Sequence, residues 1–453
     1  MLITFRVNNF LSFNDEVEFS MAAGLVKDAQ FHVVKGNGRN DVGVLKASVV
    51  YGANASGKSN LIKAIDFGQS LLLKGFKNVL TENKHFRLGK DNKEQFTKFE
   101  FEIKVGNICY AYGIVISLKE KTIKEEWLFE INKVSDKPIF ERKVLENGKS
   151  EIVISHKFDK EGEKRFEVYK KDIKENQLFL AEINDKDVED IKNIEPFTAV
   201  FKWFSESLII IYPHTKFAGL NFIGSDKELE NTFCNYLSFF NTGIDGIETI
   251  DLDFEKELKT LPDEMKIAIL NDLNKENKGI IIEIQNQRYS IYKNENGLPK
   301  IKSLMAKHKI EGSEESALFK ISEESDGTQR LFDIIPLLSS LQKNQTIIID
   351  ELDRSLHPEL TKKIVEVFLE NSKGVDNQLI VSTHESSMLD LTFLRRDEIW
   401  FVEKNIQTGV SSLFSLEQFK PRKDKEIRKG YLQGRFGAIP FISDINELGW
   451  LNN

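Results

Sequence analysis

The segment that most constrains the fold is Gly52–Ser59, which reads GANASGKS and directly follows the apolar run ASVVY at Ala47–Tyr51. A G-x-x-x-x-G-K-[ST] pattern between a buried strand and a helix is typical of a loop that wraps around phosphate groups. Its glycines let the backbone approach phosphate oxygens, while N–H groups and the positive end of the following helix point inward. The pattern predicts an α/β fold in which Lys58 bridges phosphates and the Ser59 hydroxyl binds Mg²⁺.

A second motif is the carboxylate pair Asp350 and Glu351, which follows the run TIII at Thr346–Ile349. A run of β-branched residues predicts a buried strand, and the ligand sites of α/β proteins lie where such strands end. Asp350 is predicted to hold Mg²⁺, directly or through water, and Glu351 to orient and deprotonate an attacking water. Alone the pair is a weak signal, but together with the phosphate loop it predicts a site for ATP and Mg²⁺. The predicted nucleotide-binding residues of the loop are Gly52, Asn54, Ala55, Ser56, Gly57, Lys58, Ser59 and Asn60.

Two further loops complete the set. Ser325–Gln329 reads SDGTQ before an amphipathic helical pattern, so Ser325 and the backbone N–H of Gly327 are predicted to bind an anion. Taken by itself, this loop is better explained as an ordinary helix N-cap. His384 follows the apolar run Gln378–Ser382 and is predicted to hydrogen-bond the γ-phosphate or the attacking water. A solvent-facing loop histidine is the alternative.

The middle of the chain has a different pattern. Between about residues 96 and 170, short alternating runs separated by Gly, Asn, Asp and Pro predict an antiparallel meander. Its predicted strands are Phe99–Val105, Ile108–Ser117, Ile123–Ile131, Ile139–Val144, Glu151–His156 and Arg165–Tyr169. We then expect helices over Lys227–Phe240 and Phe254–Leu273 and a hairpin formed by Gly279–Gln285 and Gln287–Lys293.

These patterns divide the chain into a core interrupted by a long insertion. The predicted parts are residues 1–95, the first half of the core with the phosphate loop; 96–215, an antiparallel β subdomain; 216–320, a mixed helical and hairpin insertion; and 321–453, the second half of the core.

Composition narrows the function classes. The 453 residues are 40% hydrophobic and 30% charged, as in globular proteins, and the net charge of −8 disfavours general binding of polyanions. No apolar run approaches the ~18 residues that span a bilayer. Met1–Phe10 lacks the pattern of a signal peptide, so we expect a cytoplasmic protein with no membrane partner. Two cysteines fit a reducing compartment and exclude a cysteine-rich metal site.

The order of phosphate loop, Ser-Gly loop, acid pair and histidine resembles that of ABC-type ATPases, specifically the SMC, RecF and overcoming-lysogenization-defect branch. The segment RVNNFLSF at Arg6–Phe13 is similar to the N-terminal strand motif of that branch. More closely, the chain resembles the bacterial RloA/AbiLi abortive-infection ATPases. The matching stretches are Val50–Leu61, Ser325–Phe332, Ile349–Pro358, Arg395–Lys404 and Lys429–Phe441.

The resemblance implies an ABC-type P-loop ATPase core with an antiparallel β subdomain and a long mixed α/β insertion. It also implies a homodimer or higher homo-oligomer, in which Ser325 and Gly327 of one copy contact the γ-phosphate held by Lys58 of the other. Asp353 would lie at the seam between the copies. Such ATPases act as sensors or regulators in phage defence, commonly with a separately encoded effector such as a nuclease or toxin.

The sequence departs from this pattern in places, and other functions stay open. The second glycine of the Ser-Gly loop is Thr328, and Gln95 is the candidate for the Q-loop glutamine. By resemblance Asn9 and Phe13 line the adenine pocket, whereas packing in the core is the alternative. The alternative function is a RecF-like ATPase of DNA repair or DNA ends, with nucleic acid as a partner. A third is a scaffold that assembles around ATP and hardly hydrolyses it.

Overall fold

The structure is a computed structural model that describes residues 1–26, 29–36, 43–145, 147–216, 227–275, 280–284, 287–294, 296–339, 344–421 and 427–438. Its strands are β1 Leu2–Asn8, β2 Val17–Ser20, β3 Val33–Val34, β4 Val44–Leu45, β5 Ala47–Tyr51, β6 Thr97–Val105, β7 Ile108–Ser117, β8 Thr122–Glu130, β9 Lys137–Val144, β10 Ser150–Ile154, β11 Leu208–Ile211, β12 Gly246–Leu252, β13 Ile280–Ile284, β14 Gln287–Lys293, β15 Pro299–Lys309, β16 Ser316–Lys320, β17 Thr346–Ile349, β18 Gln378–Ser382, β19 Ile399–Lys404 and β20 Ser411–Ser415.

The helices are α1 Lys58–Lys74, α2 Lys160–Asp172, α3 Phe179–Asn184, α4 Glu195–Lys202, α5 Lys227–Phe239, α6 Phe254–Glu257, α7 Asp263–Lys275, α8 Asp326–Ser339, α9 Pro358–Asn371 and α10 Ile427–Leu432. Short 3-10 turns lie at Gln30–His32, Ile321–Glu323, Ser386–Met388, Arg396–Glu398 and Leu416–Phe419, and a π-helical turn lies at Trp203–Ser207. Within the described residues, no helix combines the length and the apolar character that crossing a bilayer requires.

The chain forms two compact units. The first consists of Met1–Pro213, Gln342–Asp353 and Lys362–Asn453, and the second of His214–Leu341 and Arg354–Thr361. The last three residues of the Lys429–Phe441 stretch lie outside the described residues, as do Gly279 and Gln285.

A six-stranded sheet organises the first unit. Its order is β11-β17-β18-β5-β19-β20, and all neighbouring pairs are parallel except β19 with β20. Every residue of β5, β17 and β18 is buried, as expected of apolar strands covered on both faces. Because these strands are parallel, the loops after all three leave the same edge of the sheet.

The second sheet of this unit is antiparallel, in the order β10-β9-β8-β7-β6-β1-β2. A single apolar core joins residues of both sheets and of α1, in which Phe10 packs between Phe67 and Phe99 at ring-centroid distances of 5.0 and 5.1 Å. The predicted fold class, an α/β core with an antiparallel β subdomain and a mixed α/β insertion, is confirmed.

One predicted strand is wrong. Arg165–Tyr169 lies in α2, whose first turn is capped by the Asp159 carboxylate, which accepts a hydrogen bond from the Gly162 N–H at 2.9 Å. The apparent alternation is misleading because Phe166 is buried whereas Val168 is more than half exposed. The apolar residues of Arg165–Tyr169 alternate with polar ones as in a strand, although the segment is helical.

The second unit has a sheet in the order β12-β15-β14-β13, with β16 also paired to β15. The described part of the predicted hairpin is confirmed as β13 and β14, which pair antiparallel from Ile280–Ile291 to Ile284–Gln287. The helix predicted over Phe254–Leu273 is two helices, α6 and α7. Pro262 disfavours the helical conformation at the preceding residue, which explains the break.

Candidate functional site

The loop between β5 and α1 has the geometry of a phosphate cradle. Gly57 caps α1 with φ of 117°, and a Cβ there would lie 2.5 Å from the Ser411 hydroxyl oxygen. A Cβ at Gly52 would collide with the Val402 carbonyl oxygen. Both positions therefore require glycine, and the loop packs closely against β19 and β20 while the N-terminus of α1 faces its interior.

Lys58 is buried inside this loop. Its Nζ donates hydrogen bonds to the carbonyl oxygens of Gly52 at 2.7 Å and Ala53 at 3.2 Å. Burial lowers the pKa of Lys58 to about 8, although the carboxylates of Asp353 and Asp350 act in the opposite direction. The ammonium therefore lies at the centre of the loop, where it can exchange backbone carbonyls for phosphate oxygens.

Asp350 lies beyond β18 and still reaches the phosphate loop. The Ser59 hydroxyl donates to Asp350 Oδ1 at 3.2 Å, and the Ser382 hydroxyl donates to the same oxygen at 2.5 Å. Asp350 is 3% exposed, and its own N–H bonds to the carbonyl of Ile211 at the end of β11. The structure thus brings the predicted pair Ser59 and Asp350 together across three strands.

Glu351 follows with an unusual backbone. Its φ is 49°, in the left-handed region, and its N–H donates to the Ser382 hydroxyl oxygen at 2.8 Å. The side chain is partly exposed, whereas that of Asp350 is buried. The two carboxylates of the pair are therefore directed into different environments, as a metal ligand and a water-activating base would have to be.

His384 contacts Lys58 from the end of β18. The Nδ1 atom lies 3.3 Å from Lys58 Nζ, and the His384 N–H donates to Asp353 Oδ2 at 3.1 Å. Burial and the neighbouring Lys58 lower the pKa of His384, which favours a neutral imidazole whose Nδ1 accepts a hydrogen bond from the Lys58 ammonium. Asp353 Oδ1 is buried and has no hydrogen-bond partner among the described residues, so this carboxylate has unused capacity to accept one.

Three further serines support the site. One is Ser382. The others brace the phosphate loop: Ser411 Oγ donates to the Ser56 carbonyl at 2.6 Å, and Ser12 Oγ accepts from Asn60 Nδ2 at 2.8 Å. Ser12 follows the strand motif at the N-terminus, but nothing in the sequence marks Ser411, because the contact joins residues more than 350 positions apart.

The N-terminal candidates are placed differently. Asn9 is buried at 1% exposure, donates to the carbonyls of Asn92 and Gln95 and accepts the Phe86 N–H. Phe13 is fully buried in the same apolar core. These contacts favour the alternative of core packing over an adenine pocket. The Gln95 side chain is exposed, and its assignment as the Q-loop glutamine stays a prediction.

Ser325 and Gly327 belong to the second unit. Ser325 Oγ accepts the Thr328 N–H at 3.2 Å at the start of α8, so it has the geometry of an N-cap. A Cβ at Gly327 would lie 2.7 Å from the Ser355 carbonyl oxygen, which makes glycine necessary there. Ser325 therefore acts as an ordinary N-cap of α8, and its binding of a γ-phosphate stays a prediction.

The donor set of the first unit fits ATP with Mg²⁺. A hydroxyl and a carboxylate, from Ser59 and Asp350, are oxygen ligands of the kind that Mg²⁺ prefers beside substrate phosphates. Backbone N–H groups at the start of α1 and the Lys58 ammonium provide the complementary donors for phosphate oxygens.

The fold and this loop define an α/β protein of the P-loop type. Residues 47–390, about three quarters of the chain, match a family described as "AAA domain, putative AbiEii toxin, Type IV TA system". The chain belongs to this AAA-domain family. The match includes the phosphate loop, the acid pair and His384.

Solved structures of SMC heads are similar to the chain. One is the SMC head bound to the C-winged helix domain of ScpA, with 14% identity, 93% of this chain and 99% of that chain covered, and a TM-score of 0.37. Another is the SMC head domain from Thermotoga maritima, with 14% identity, coverages of 91% and 98%, and a TM-score of 0.37. No curated protein matches the chain. The family assignment rests on the profile match alone.

Proposed function

We propose that the protein is a Mg²⁺-dependent ATPase of the ABC and SMC-like class. The observation that carries the proposal is the contact of Lys58 with His384 and of Ser59 with Asp350, at the shared edge of β5, β18 and β17. In P-loop proteins these are the residue types that hold the phosphates and the metal, and here they converge although they are some 290 to 330 positions apart.

Each residue has a defined task in this proposal. Lys58 transfers its hydrogen bonds from the Gly52 and Ala53 carbonyls to phosphate oxygens. Ser59 and Asp350 would hold Mg²⁺, which when bound neutralises charge on the β- and γ-phosphates. Glu351 orients and deprotonates the attacking water, and His384 hydrogen-bonds the γ-phosphate or that water.

We further propose that two copies close around ATP, with Ser325 and Gly327 of each copy on the γ-phosphate held by the other and Asp353 at the seam. The biological role we propose is a sensor or regulator in antiphage abortive infection that controls a separate effector, such as a nuclease. The description of the family, which names a putative toxin of a toxin–antitoxin system, agrees with a role in such conflicts. The four parts expected from the sequence, 1–95, 96–215, 216–320 and 321–453, remain our proposal for its functional division.

The test is Glu351→Gln, assayed for phosphate release and ATP binding. Because the variant keeps the shape of the side chain and loses its basicity, we expect ATP binding to persist and turnover to fall by about 10²–10⁴-fold. Glu370→Gln, on the exposed end of α9, is the matched control and should hydrolyse ATP like the parent. Equal turnover in the parent and Glu351→Gln would contradict the role of Glu351, and no hydrolysis by the parent would favour the scaffold.

A RecF-like function in DNA binding is the second candidate, and one surface favours it. A cavity of about 600 Å³ in the first unit has Lys77, His85, Lys93, Lys119 and Lys121 in its lining, together with Glu82 and several uncharged residues. Burial, then Lys93 and Arg87, lower the pKa of His85, as expected where positive charges cluster. If this surface binds duplex DNA, DNA should stimulate hydrolysis, and affinity should fall steeply with salt. If DNA does not change the rate of ATP hydrolysis, the result would contradict the DNA-binding function and favour the regulator of antiphage defence.

A further inference from the structure

Ser382 occupies the centre of the candidate site without belonging to any motif that predicted it. It is the last residue of β18, which lies between β17 and β5, and its side chain is fully buried. Its hydroxyl donates to Asp350 Oδ1 at 2.5 Å and accepts the Glu351 N–H at 2.8 Å. Its carbonyl oxygen accepts the Leu352 N–H at 3.0 Å. One residue therefore contacts three consecutive residues of the acid-pair segment.

These contacts hold a backbone that is disfavoured in isolation. Glu351 has φ of 49°, and residues with a Cβ adopt the left-handed region only when surrounding contacts fix them there. The two hydrogen bonds from the Glu351 and Leu352 N–H groups to Ser382 fix both sides of this residue. The direction in which the Glu351 side chain leaves the strand therefore depends on Ser382.

The same hydroxyl also orients the Asp350 carboxylate. Ser59 and Ser382 donate to one oxygen, Oδ1, but only Ser59 is a candidate ligand of the metal. Groups that hydrogen-bond to a metal-ligating carboxylate set its direction and its basicity. Ser382 is thus linked both to the proposed metal ligand and to the proposed base.

We propose that Ser382 is a positioning residue, whose hydroxyl locks the Asp350 carboxylate and the Glu351 backbone in one arrangement that Mg²⁺ binding and water activation both require. This inference rests on the proposed function, which it deepens. It assigns no contact between Ser382 and the nucleotide, so removal of the hydroxyl should affect the metal and turnover and leave the affinity for metal-free nucleotide unchanged.

The test is Ser382→Ala, measured against Ser372→Ala. Ser372 is a matched control because it is also buried in the first unit, and its hydroxyl has no hydrogen-bond partner among the described residues. We expect Ser382→Ala to lower kcat, and to raise the Mg²⁺ concentration for half-maximal rate, by about 10–100-fold each. ATP affinity measured in EDTA should stay within about twofold of the parent, and Ser372→Ala should change none of the three.

A second variant and a second readout keep the test decisive. Ser382→Thr retains a hydroxyl and should lie nearer to the parent than to Ser382→Ala in its Mg²⁺ requirement. Thermal stabilisation by ADP, titrated with Mg²⁺, reports metal binding even if the parent hydrolyses no ATP, so failure of the proposed function is distinguishable from failure of this inference. A Ser382→Ala protein that loses only thermal stability, with the Mg²⁺ requirement of the parent, would overturn the proposal.

Discussion

At the scale of single residues, Lys58 shows how the phosphate loop holds a buried charge. Its ammonium is buried and donates to two backbone carbonyls, so solvation by water is replaced only in part. The pKa of about 8, against an ordinary value of 10.5, is the consequence of that partial replacement. Burial of the charged ammonium therefore lowers the free energy of unfolding in the pH range where Lys58 is protonated.

This yields a prediction for the pH dependence of unfolding. Below about pH 8 Lys58 is protonated in the folded and unfolded states, so the full penalty of its burial applies, whereas above pH 10.5 it is neutral in both. Urea denaturation of the nucleotide-free parent and of Lys58→Met should differ by on the order of 3 kcal/mol in favour of the variant at pH 7. The difference should shrink as pH rises from 8 to 10.5. A difference independent of pH would show that Lys58 is not desolvated.

At the scale of elements, a buried carboxylate joins β8 to α3. Glu126 is fully buried and accepts the N–H groups of Phe179 at 2.6 Å and Leu180 at 2.9 Å, in the first turn of α3. It also accepts the Tyr112 hydroxyl at 3.1 Å and lies 3.5 Å from Arg142 Nη1. Burial raises the pKa of Glu126, against the opposing effect of Arg142. The Glu126 carboxylate on β8 therefore holds both the first turn of α3 and the Arg142 guanidinium.

We predict that Glu126→Ala lowers the free energy of unfolding by about 3–5 kcal/mol, because it leaves Arg142 buried without its carboxylate. Glu125→Ala is the control: this neighbour on β8 is partly exposed and pairs with Lys143 at 3.7 Å, so its loss should cost at most about 1 kcal/mol. Urea denaturation of both variants measures the difference. Similar stabilities for the two would mean that the buried network contributes little.

Individual strands and helices show which features could be predicted from the sequence and which could not. The phosphate loop, Asp350 and His384 were predictable because each follows a short apolar run, where a parallel strand must end. Glu126 was not, because the segment KEEWLFE does not show which glutamate faces the core. Ser382 and Ser411 were hidden for a related reason: a serine acquires such a role only through tertiary contacts. Phe166 and Val168 show the converse, an alternation without a strand.

At the scale of the whole molecule, the proposed dimer gives a sharp test at Ser325. Ser325→Asp keeps an N-cap acceptor for the Thr328 N–H but places a negative charge where the partner's γ-phosphate would lie. Ser325→Asn keeps the cap without the charge. In the Glu351→Gln background with ATP and Mg²⁺, light scattering should show dimers for Ser325→Asn and monomers for Ser325→Asp. Dimers of Ser325→Asp as stable as those of Ser325→Asn would contradict the arrangement.

The strand order of the six-stranded sheet also has a consequence for biosynthesis. β5, which carries the phosphate loop, has β18 and β19 as its two neighbours, and both come from beyond residue 377. At roughly 5–20 residues per second, a ribosome needs about 16 to 65 seconds to proceed from β5 to β18. β5 therefore cannot pair with either of its sheet neighbours until translation has passed residue 377, and a chain that terminates earlier lacks both strands that flank its phosphate loop.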